Sequence, residues 1–378
     1  MRIGYVQDMY PKLSETFVYN EIAGLAKYHE MSVFSIEKAN VDRPVPDNIS
    51  VTYHNTSRGK DFTGAVLGTL RSGLLSRGPL ESHYQRLAKE FSTRAVKLDV
   101  LHRHFPTNSI VHYMAEELGI PYTLTVHAWD IFSKNRYPHL DKLLETAKYI
   151  ATISEFNKKL LMEENGVPEN KIHVIHMGID TKEYAFSARP GSHRVLSIGR
   201  FVEKKGFETG IEAVASLVPK LPDLEYHIVG FGPLESRLRE SIAKHGVEEN
   251  VKIITGLTDH ELLQEYKEAD AFLLPCTIGP DNDMDGIPVV LMEAMARGIP
   301  VVSTKLSGIP ELVENGRTGS LIGDGDVQGF GNAIFEILKN PGQTKDIVKN
   351  ARQRVESEFN IHNQVREMDS MLQRASGA

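Results

Sequence analysis

Two carboxylates stand eight residues apart in the segment DGIPVVLMEAMARG, which runs from Asp285 to Gly298. An apolar run follows Pro288 and predicts the first turn of a helix, because a proline fits a helix start, where its missing N–H is not needed. Glu293 would then lie about one and a half turns into that helix. A helix N-terminus offers free backbone N–H groups and a positive dipole end to an anion. The segment therefore predicts a phosphate site between two carboxylates that can bind hydroxyls, which suits a sugar nucleotide.

A second segment, VLSIGRFVEKKG at residues 195–206, carries the cations that such a site needs. A short strand pattern ends at Gly199, Arg200 follows it, and Lys205 stands just before Gly206 and a helical pattern. A glycine at a strand end lets the backbone approach a ligand closely. Two cations on one loop can hold a pyrophosphate from two sides. We expect Arg200 and Lys205 to bind the diphosphate.

The order and spacing of these residues resemble the signature of glycosyltransferase family 4, whose members are retaining enzymes of the GT-B fold. Arg200 and Lys205 carry one part of the resemblance. The other part is the pair formed by Asp285 and Glu293, although the usual first acid of that pair is Glu. The stretch SETF at 14–17 resembles a subgroup associated with exopolysaccharide and colanic-acid-type assembly. The resemblance extends over most of the chain.

Strand and helix patterns alternate along the whole sequence. The strand patterns lie at 2–7, 31–36, 99–105, 122–126, 149–154 and 171–176, and then in HRVLSIG, LEYHIVG, VKIITG, AFLLP, PVVST and GSLIG. The alternation pauses at SARPGSH, residues 187–193, and then restarts. Two such series predict an α/β protein with two doubly wound domains that face a cleft. We expect an acceptor-side Rossmann-like domain at 1–185 and a nucleotide-sugar-binding Rossmann-like domain at 186–358. The resemblance implies the GT-B arrangement of these domains, with a last helix at 359–378 that packs back on the first one.

Composition limits the functional classes. The 378 residues suffice for two domains, and the net charge of −7 argues against general nucleic-acid binding. The one cysteine, Cys276, excludes a disulfide within the chain and fits a reducing compartment. The N-terminal residues lack the apolar core of a signal peptide. We therefore expect a cytoplasmic protein.

The segment from Arg58 to Lys97 is locally basic, with eight basic and three acidic residues. Residues 62–75 within it are apolar with few charges. A basic, partly apolar surface can rest on anionic lipid at the inner face of a membrane, or admit a lipid-linked acceptor. Two ordinary helices with a solvated basic face are the alternative interpretation.

His127 is the residue of the first domain best placed to contact a sugar. It follows the strand pattern at 122–126, and ligands of an open parallel sheet lie beyond the carboxyl ends of its strands. On position alone, a histidine that caps a loop is an equal alternative. His127 and the nearby Asp130 resemble the first-domain histidine of the family and its following Asp-containing stretch, which implies a contact with a sugar hydroxyl.

Glycine turns and the helix start complete the expected nucleotide site. The stretch GFGPLE at 230–235 follows a strand, but Glu235 replaces the third glycine of a dinucleotide fingerprint, so an oxidoreductase is weakly supported. The turn after another strand, at Gly256, can present backbone groups to a base. The expected nucleotide-binding residues are Gly199, Gly230, Gly256, Leu257, Gly286, Ile287, Pro288, Val289 and Glu293.

No metal site follows from the spacing of possible ligands. His102 and His104 lie on one face of a strand, without a third ligand at a fixed spacing. The stretch DNDMDG at 281–286 opens like a calcium loop, but its twelfth position is Met292 rather than the required Glu. Asp283 and Asp285 also imitate the metal-binding Asp-x-Asp of the other major transferase fold. We expect no metal and no cofactor other than the donor, a UDP- or GDP-sugar.

These residues predict a sugar-nucleotide site, and the resemblance implies a retaining glycosyltransferase that moves a sugar from a nucleotide-diphospho-sugar to a glycan, lipid-linked or small-molecule acceptor, in polysaccharide or glycolipid biosynthesis. His127, Arg200, Lys205 and Asp285 are the predicted catalytic residues. A nucleotide-sugar 2-epimerase of the same fold is one alternative, but it needs acid and base carboxylates in the first domain that no spacing reveals. A non-catalytic nucleotide-sugar binder is another, which would not need His127.

Overall fold

The computed structural model describes most of the 378 residues. Residues 13–14, 39–43, 55–76, 133–136, 138, 188–189 and 378 lie outside the described part, and only the backbone is described at 77–79, 129 and 132. The apolar run predicted at 62–75 therefore lies outside the described residues.

The first sheet contains seven parallel strands within the described ranges. These strands are β1 (Arg2–Tyr10), β2 (Glu30–Lys38), β3 (Ile49–Tyr53), β4 (Val100–His104), β5 (Tyr122–Val126), β6 (Tyr149–Thr152) and β7 (Ile172–Val174). The sequence patterns predict all of them except β3. That strand lies at the edge of the sheet, and its sequence ISVTY has the alternating apolar and polar residues of a half-exposed strand, a signal that the sequence analysis missed.

The second sheet contains six parallel strands among the described residues. These strands are β8 (Arg194–Ile198), β9 (Glu225–Val229), β10 (Val251–Ile254), β11 (Ala271–Leu274), β12 (Val301–Thr304) and β13 (Ser320–Ile322). The sequence patterns predict each of them. Their central strands are almost fully buried, so their sequences are continuous apolar runs, as expected where helices cover both faces.

Helices connect the strands and cover both sheets. The described helices are α1 (Thr16–Leu25), α2 (Arg77–Arg94), α3 (Ile110–Leu118), α4 (Ala128–Phe132), α5 (Leu140–Thr146), α6 (Glu155–Asn165), α7 (Phe207–Ala215), α8 (Glu235–His245), α9 (Asp259–Glu268), α10 (Val289–Arg297), α11 (Ile309–Leu312), α12 (Val327–Lys339), α13 (Lys345–Glu358) and α14 (Ile361–Ser376). In the ranges that the structure describes, none of these helices has the length and apolar character needed to cross a membrane.

Both sheets reverse their strand order at one point. The first sheet has the order β3-β2-β1-β4-β5-β6-β7, so the reversal lies between β1 and β4. The second has the order β10-β9-β8-β11-β12-β13, with its reversal between β8 and β11. In an open parallel sheet, the loops that leave the carboxyl ends of the strands diverge at such a point and form a crevice. The fold therefore provides a crevice in each domain.

The last helix, α14, completes the first domain. Val365, Met368, Met371 and Leu372 on this helix are buried in the same apolar cluster as strands β1 and β2 and helix α1. A separate cluster covers the opposite face of the first sheet. The C-terminal end of the chain thus supplies part of the core of the first domain. The predicted division of the chain at residue 185 stays a prediction.

The chain passes between the domains twice, and the two passages lie against each other. The backbone N–H of Ile179 donates to the carbonyl of Phe359 at 3.1 Å, and the N–H of Ile361 donates to the carbonyl of Ile179 at 3.0 Å. A Cβ at Gly178 would lie 2.2 Å from the carbonyl carbon of Asn360, so only glycine fits there. The two passages form one connection rather than two independent linkers.

Glu311, in the second domain, joins the two domains at the start of helix α6. Its carboxylate accepts the backbone N–H groups of Glu155 at 2.9 Å and Phe156 at 3.0 Å, and it lies 3.1 Å from Nε2 of His176. The positive end of the helix favours a carboxylate at this position. Although burial alone would raise the pKa of Glu311, His176 and the two N–H groups hold it below its usual value.

We predict that Glu311→Gln lowers the free energy of unfolding by about 1 to 2 kcal/mol at neutral pH, because an uncharged amide binds the helix start more weakly. The folded pKa is lowered, so the stabilisation is complete above the unfolded value of about 4.3 and is lost as the pH falls through the folded value. Thermal unfolding of both proteins between neutral and acidic pH measures this difference.

The exposed Glu248 offers a matched control. Glu248→Gln also removes one negative charge, but at a position outside the contact between Glu311 and helix α6. The control should unfold like the wild type at every pH. A difference between Glu311→Gln and the wild type that persists unchanged in acid would contradict the charge-based explanation.

Candidate functional site

The loops after β8 and β11 meet at the reversal point of the second sheet, and a charged pair joins them. Nζ of Lys205 lies 2.6 Å from Oδ2 of Asp285, with both side chains almost buried. Burial alone would lower the pKa of Lys205, but Asp285 raises it above its usual value. Burial alone would raise the pKa of Asp285, but Lys205 and Lys204 hold it below its usual value. Both groups are therefore charged.

Lys204 is a further member of this site that the sequence analysis did not identify. Its Nζ lies 2.9 Å from Oδ1 of Asp283 and 3.6 Å from Oδ1 of Asp285. Its carbonyl accepts the backbone N–H of Thr277, which ties the two loops together. The signal for Lys204 was its place beside Lys205 in VEKKG. Sequence alone could not show that its side chain turns towards Asp283.

Three cations and two carboxylates lie together where the two loops meet. Arg200 is exposed, and its charge acts on both Lys205 and Asp283. Glu203 and Asp281 on the same loops are also exposed, so the loops as a whole carry three cations and four carboxylates.

Cys276 lies beside the pair formed by Lys205 and Asp285, with its Sγ 3.7 Å from Oδ2 of Asp285. Burial and the nearby Asp285 raise the pKa of the Cys276 thiol, so it stays protonated.

The predicted glycines pack these loops closely. A Cβ at Gly230 would lie 1.9 Å from the carbonyl oxygen of Gly199, at a φ of 154° that L residues rarely adopt. Gly206, at a φ of 64°, would place a Cβ 1.8 Å from the carbonyl oxygen of Pro275. Larger residues at either position would push the cation loop away from its neighbours.

The predicted helix start is present, one residue later than expected. Pro288 is the N-cap rather than the first helical residue, and α10 begins at Val289. Gly286 and Ile287 therefore belong to the loop before the helix.

The predicted turn at Gly256 and Leu257 follows β10. Gly256 has a φ of 71°, and no neighbouring atom lies within 4 Å of the place that a Cβ would take there.

Glu293, on α10, is half-buried and contacts two tyrosines. Its Oε2 accepts the hydroxyl of Tyr266 at 2.7 Å, and its Oε1 lies 3.5 Å from the hydroxyl of Tyr184. The guanidinium of Arg297 lies over both rings, 4.7 and 4.8 Å from their centroids. Burial raises the pKa of Glu293, against the opposing effects of Tyr266 and Arg297. This arrangement fixes the position of the carboxylate that the sequence predicted to bind the nucleotide.

His127 follows β5, as predicted, and is held in position by its neighbours. Its backbone N–H donates to Oδ2 of Asp130 at 2.8 Å, and its ring stacks on Phe105 with 4.2 Å between centroids. Burial and the nearby His104 lower the pKa of His127 well below its usual value, so the ring is neutral. Burial raises the pKa of Asp130 to about 7, although the backbone N–H of His127 opposes this shift.

The two domains meet beside His127. A Cβ at Gly286 would lie 2.5 Å from Cδ1 of Ile153 and 3.5 Å from the Cβ of Ala128. Gly286 follows Asp285 in the second domain, and Ala128 follows His127 in the first. The structure therefore brings the predicted acid loop and the predicted histidine loop to the same part of the cleft.

One group of side chains in the described part of the chain has the spacing of a metal site. Glu21, His102 and His104 lie close together and are fully buried. The ring nitrogens of His102 already pair with the hydroxyls of Thr123 at 2.8 Å and Thr125 at 3.1 Å. Those of His104 lie 2.8 Å from Glu21 and 3.1 Å from His127. The donors and acceptors of this group are thus occupied by one another, which does not favour a metal ion.

Comparison with known proteins matches both halves of the chain to families. The model of Glycosyltransferase Family 4 matches residues 14–183, and that of Glycosyl transferases group 1 matches residues 180–354. WcaL of Escherichia coli K12, a protein assigned to colanic acid biosynthesis as a glycosyltransferase, is 32% identical over 99% of this chain and its own whole length. The amylovoran biosynthesis glycosyltransferase AmsK of Erwinia amylovora is 40% identical over 55% of this chain and 52% of its own.

Solved structures share the fold over the full length. HepE of Anabaena in complex with UDP has a TM-score of 0.77 at 20% identity, and covers 99% of this chain and 100% of its own. Sucrose-phosphate synthase of Thermosynechococcus elongatus has a TM-score of 0.75 at 19% identity, with 99% and 98% covered. At this identity the likeness concerns the fold alone.

Proposed function

Because this chain belongs to glycosyltransferase family 4, as the resemblance to its signature predicted, we propose that it is a retaining hexosyltransferase that uses a nucleotide-diphospho-sugar. Its two facing doubly wound domains form the GT-B fold that the sequence also predicted. The observation that carries the proposal is the contact between Lys205 and Asp285 at the reversal point of the second sheet. One crevice there holds cations for a diphosphate and a carboxylate for sugar hydroxyls.

Lys205 and Arg200 bind the diphosphate of the donor in this proposal. These cations attract the anion, and the diphosphate replaces Asp285 as a partner of Lys205. During transfer, negative charge grows on the departing phosphate oxygen. Cations that are already in place stabilise this charge without further reorganisation. Asp285, released from Lys205, accepts hydrogen bonds from hydroxyls of the donor sugar.

The remaining site residues bind the nucleotide and position the sugar. Glu293 holds the ribose hydroxyls, and the backbone of Gly256 and Leu257 contacts the base. His127 holds the sugar from the first domain. The base is uracil or guanine: HepE is solved with UDP and with UDP-glucose, and a mycobacterial relative is a GDP-mannose-dependent mannosyltransferase.

Retention follows from attack on the same face that the leaving group departs from. The bond between the anomeric carbon and the phosphate oxygen breaks while the acceptor oxygen bonds to that carbon. The proton of the acceptor hydroxyl passes to the departing phosphate oxygen, so no protein base is required. We propose an acceptor that is a growing glycan or a lipid-linked sugar, because the relatives act in colanic acid and amylovoran biosynthesis.

We predict that Lys205→Ala and Arg200→Ala each lower turnover by about tenfold to a thousandfold, because each leaves charge on the departing diphosphate uncompensated. Release of nucleoside diphosphate from UDP-, GDP- and ADP-sugars by the purified protein measures this, and also identifies the base. Lys244→Ala, on the exposed end of α8, is the matched control and should keep full turnover. Full activity in both site variants would contradict the proposal that Lys205 and Arg200 bind the diphosphate.

Asp285 and Glu293 have separate roles in this proposal, and conservative substitutions test the separation. Asp285→Glu should alter the preference among donor sugars, since one methylene moves the carboxylate by about 1.5 Å. Glu293→Gln should weaken nucleotide binding and leave that preference unchanged. Competition assays with free nucleoside diphosphates and a panel of donor sugars distinguish the two effects. If both variants shift donor preference alike, the two carboxylates share one pocket.

The basic segment at 58–97 is proposed to contact an anionic membrane or a lipid-linked acceptor. Its described part includes α2, on which Arg86 and Lys89 are exposed while Leu87 and Phe91 pack on the first sheet. Each basic residue near an anionic surface contributes about 1 kcal/mol of binding free energy. The alternative, a packed helix with a solvated basic face, predicts no binding.

Flotation with liposomes tests the membrane contact. We predict that the protein floats with anionic liposomes at low salt, and that it does so much less with neutral liposomes or at high salt, where the charges are screened. If the protein floats with neither anionic nor neutral liposomes, at low or at high salt, the segment is an ordinary helix with a solvated basic face. That result would favour an acceptor that is free in solution.

A further inference from the structure

Two lysines contact Asp285, and each lies at a different oxygen of its carboxylate. Nζ of Lys205 is 2.6 Å from Oδ2, and Nζ of Lys204 is 3.6 Å from Oδ1. The carboxylate therefore has one counter-ion at each oxygen. In the proposed reaction the diphosphate takes Lys205 away from Oδ2, and no role in transfer is assigned to Lys204.

The loss of Lys205 is costly for Asp285, because the side chain of Asp285 is only 15% exposed. A carboxylate with so little contact with water needs a cation or several hydrogen-bond donors. The thiol of Cys276, whose Sγ lies 3.7 Å from Oδ2, is a weak donor. Lys204 is the cation that can stay with the carboxylate, since its Nζ already lies within ion-pair distance of Oδ1.

Lys204 is held beside Asp285 by contacts that do not involve Lys205. It is 8% exposed, and its Nζ lies 2.9 Å from Oδ1 of Asp283. Its carbonyl accepts the backbone N–H of Thr277 at 3.0 Å. Both partners belong to the segment that leads from β11 to Asp285. Lys204 therefore keeps its place next to the carboxylate when Lys205 changes partner.

We propose that Lys204 is a positioning residue, which keeps the carboxylate of Asp285 paired and in place when the donor diphosphate binds Lys205. Oδ1 of Asp285 stays with Lys204. Oδ2, released from Lys205, accepts hydroxyls of the donor sugar. Lys204 thus acts on the donor through Asp285. The inference rests on the proposed function, in which the diphosphate replaces Asp285 as the partner of Lys205.

Lys204→Met tests this role, because methionine keeps much of the apolar length of lysine and removes the charge. Calorimetric titration with UDP, GDP or ADP, whichever binds the wild type most tightly, measures the affinity. Binding now leaves Asp285 without a cation, so we expect an affinity about tenfold lower, the effect of one lost charge-assisted hydrogen bond. Thermal unfolding verifies that the variant is folded, and Lys204→Gln takes its place if it is not.

The same substitution in an Asp285→Asn background separates this role from others. The amide needs no counter-ion and no longer engages Lys205, so Asp285→Asn alone should bind the nucleoside diphosphate more tightly than the wild type. Adding Lys204→Met should then change the affinity by no more than about twofold, because the two effects are coupled rather than additive. A Lys204 that bound the diphosphate directly, or that only supported the loop, would still cost the full loss.

Asp283→Asn is the matched control for a purely structural role. It breaks the contact between Lys204 and Asp283 and leaves the ammonium group free to pair with Asp285. We expect an affinity for the nucleoside diphosphate at least as high as that of the wild type. Glu203→Gln removes one negative charge at an exposed position of the same loop, and it should bind like the wild type.

The outcomes separate this inference from the proposed function. Unchanged affinity in Lys204→Met overturns the inference, and so does an equal loss in the wild-type and Asp285→Asn backgrounds. Weaker binding in Asp283→Asn overturns it as well, since Lys204 would then only support the loop. If Asp285→Asn does not tighten binding and Lys205→Ala does not weaken it, the proposed exchange of partners at Lys205 is wrong instead.

Discussion

The contact between Lys205 and Asp285 is the interaction on which the site depends. Two charges with little exposure to water would each be costly alone, and the cost is offset only because they lie 2.6 Å apart. The reversal of strand order between β8 and β11 brings their two loops together. Gly206 and Gly230 then allow the loops to approach neighbouring backbone, and Lys204 adds a second bond between them. The pair thus keeps the ammonium group of Lys205 and the carboxylate of Asp285 largely apart from solvent.

The second domain is useful to the reaction only if the first domain faces it correctly, and three features of the chain ensure this. Gly286 places the acid loop against the residue after His127. The carboxylate of Glu311 binds the start of α6, across the cleft. The paired passages at Ile179 and Phe359 limit how far the domains can separate. Each contact joins residues of different domains, so the geometry of the cleft belongs to the whole chain rather than to either half.

Much of this arrangement was predictable because its signals are local. The spacing of Arg200 and Lys205, and of Asp285 and Glu293, lies within single loops and helices, and the strand patterns lie within single apolar runs. The family and the fold followed from them. The direction of the Lys204 side chain did not, since it depends on Asp283 in another loop. The contacts of Glu21 join it to residues 83 and 343 positions away in sequence, and no periodic pattern records pairs at such separations.

Helix α14 has a consequence for how the protein is made. Its residues, Ile361–Ser376, leave the ribosome after the whole of the second domain, yet they fill the core face of the domain that is synthesised first. The first domain must therefore wait with an apolar face uncovered while the whole of the second is translated and can fold. At synthesis rates of about 5 to 20 residues per second, this interval lasts about ten seconds or more. The second domain can thus be completed before the first, although it follows the first in the sequence.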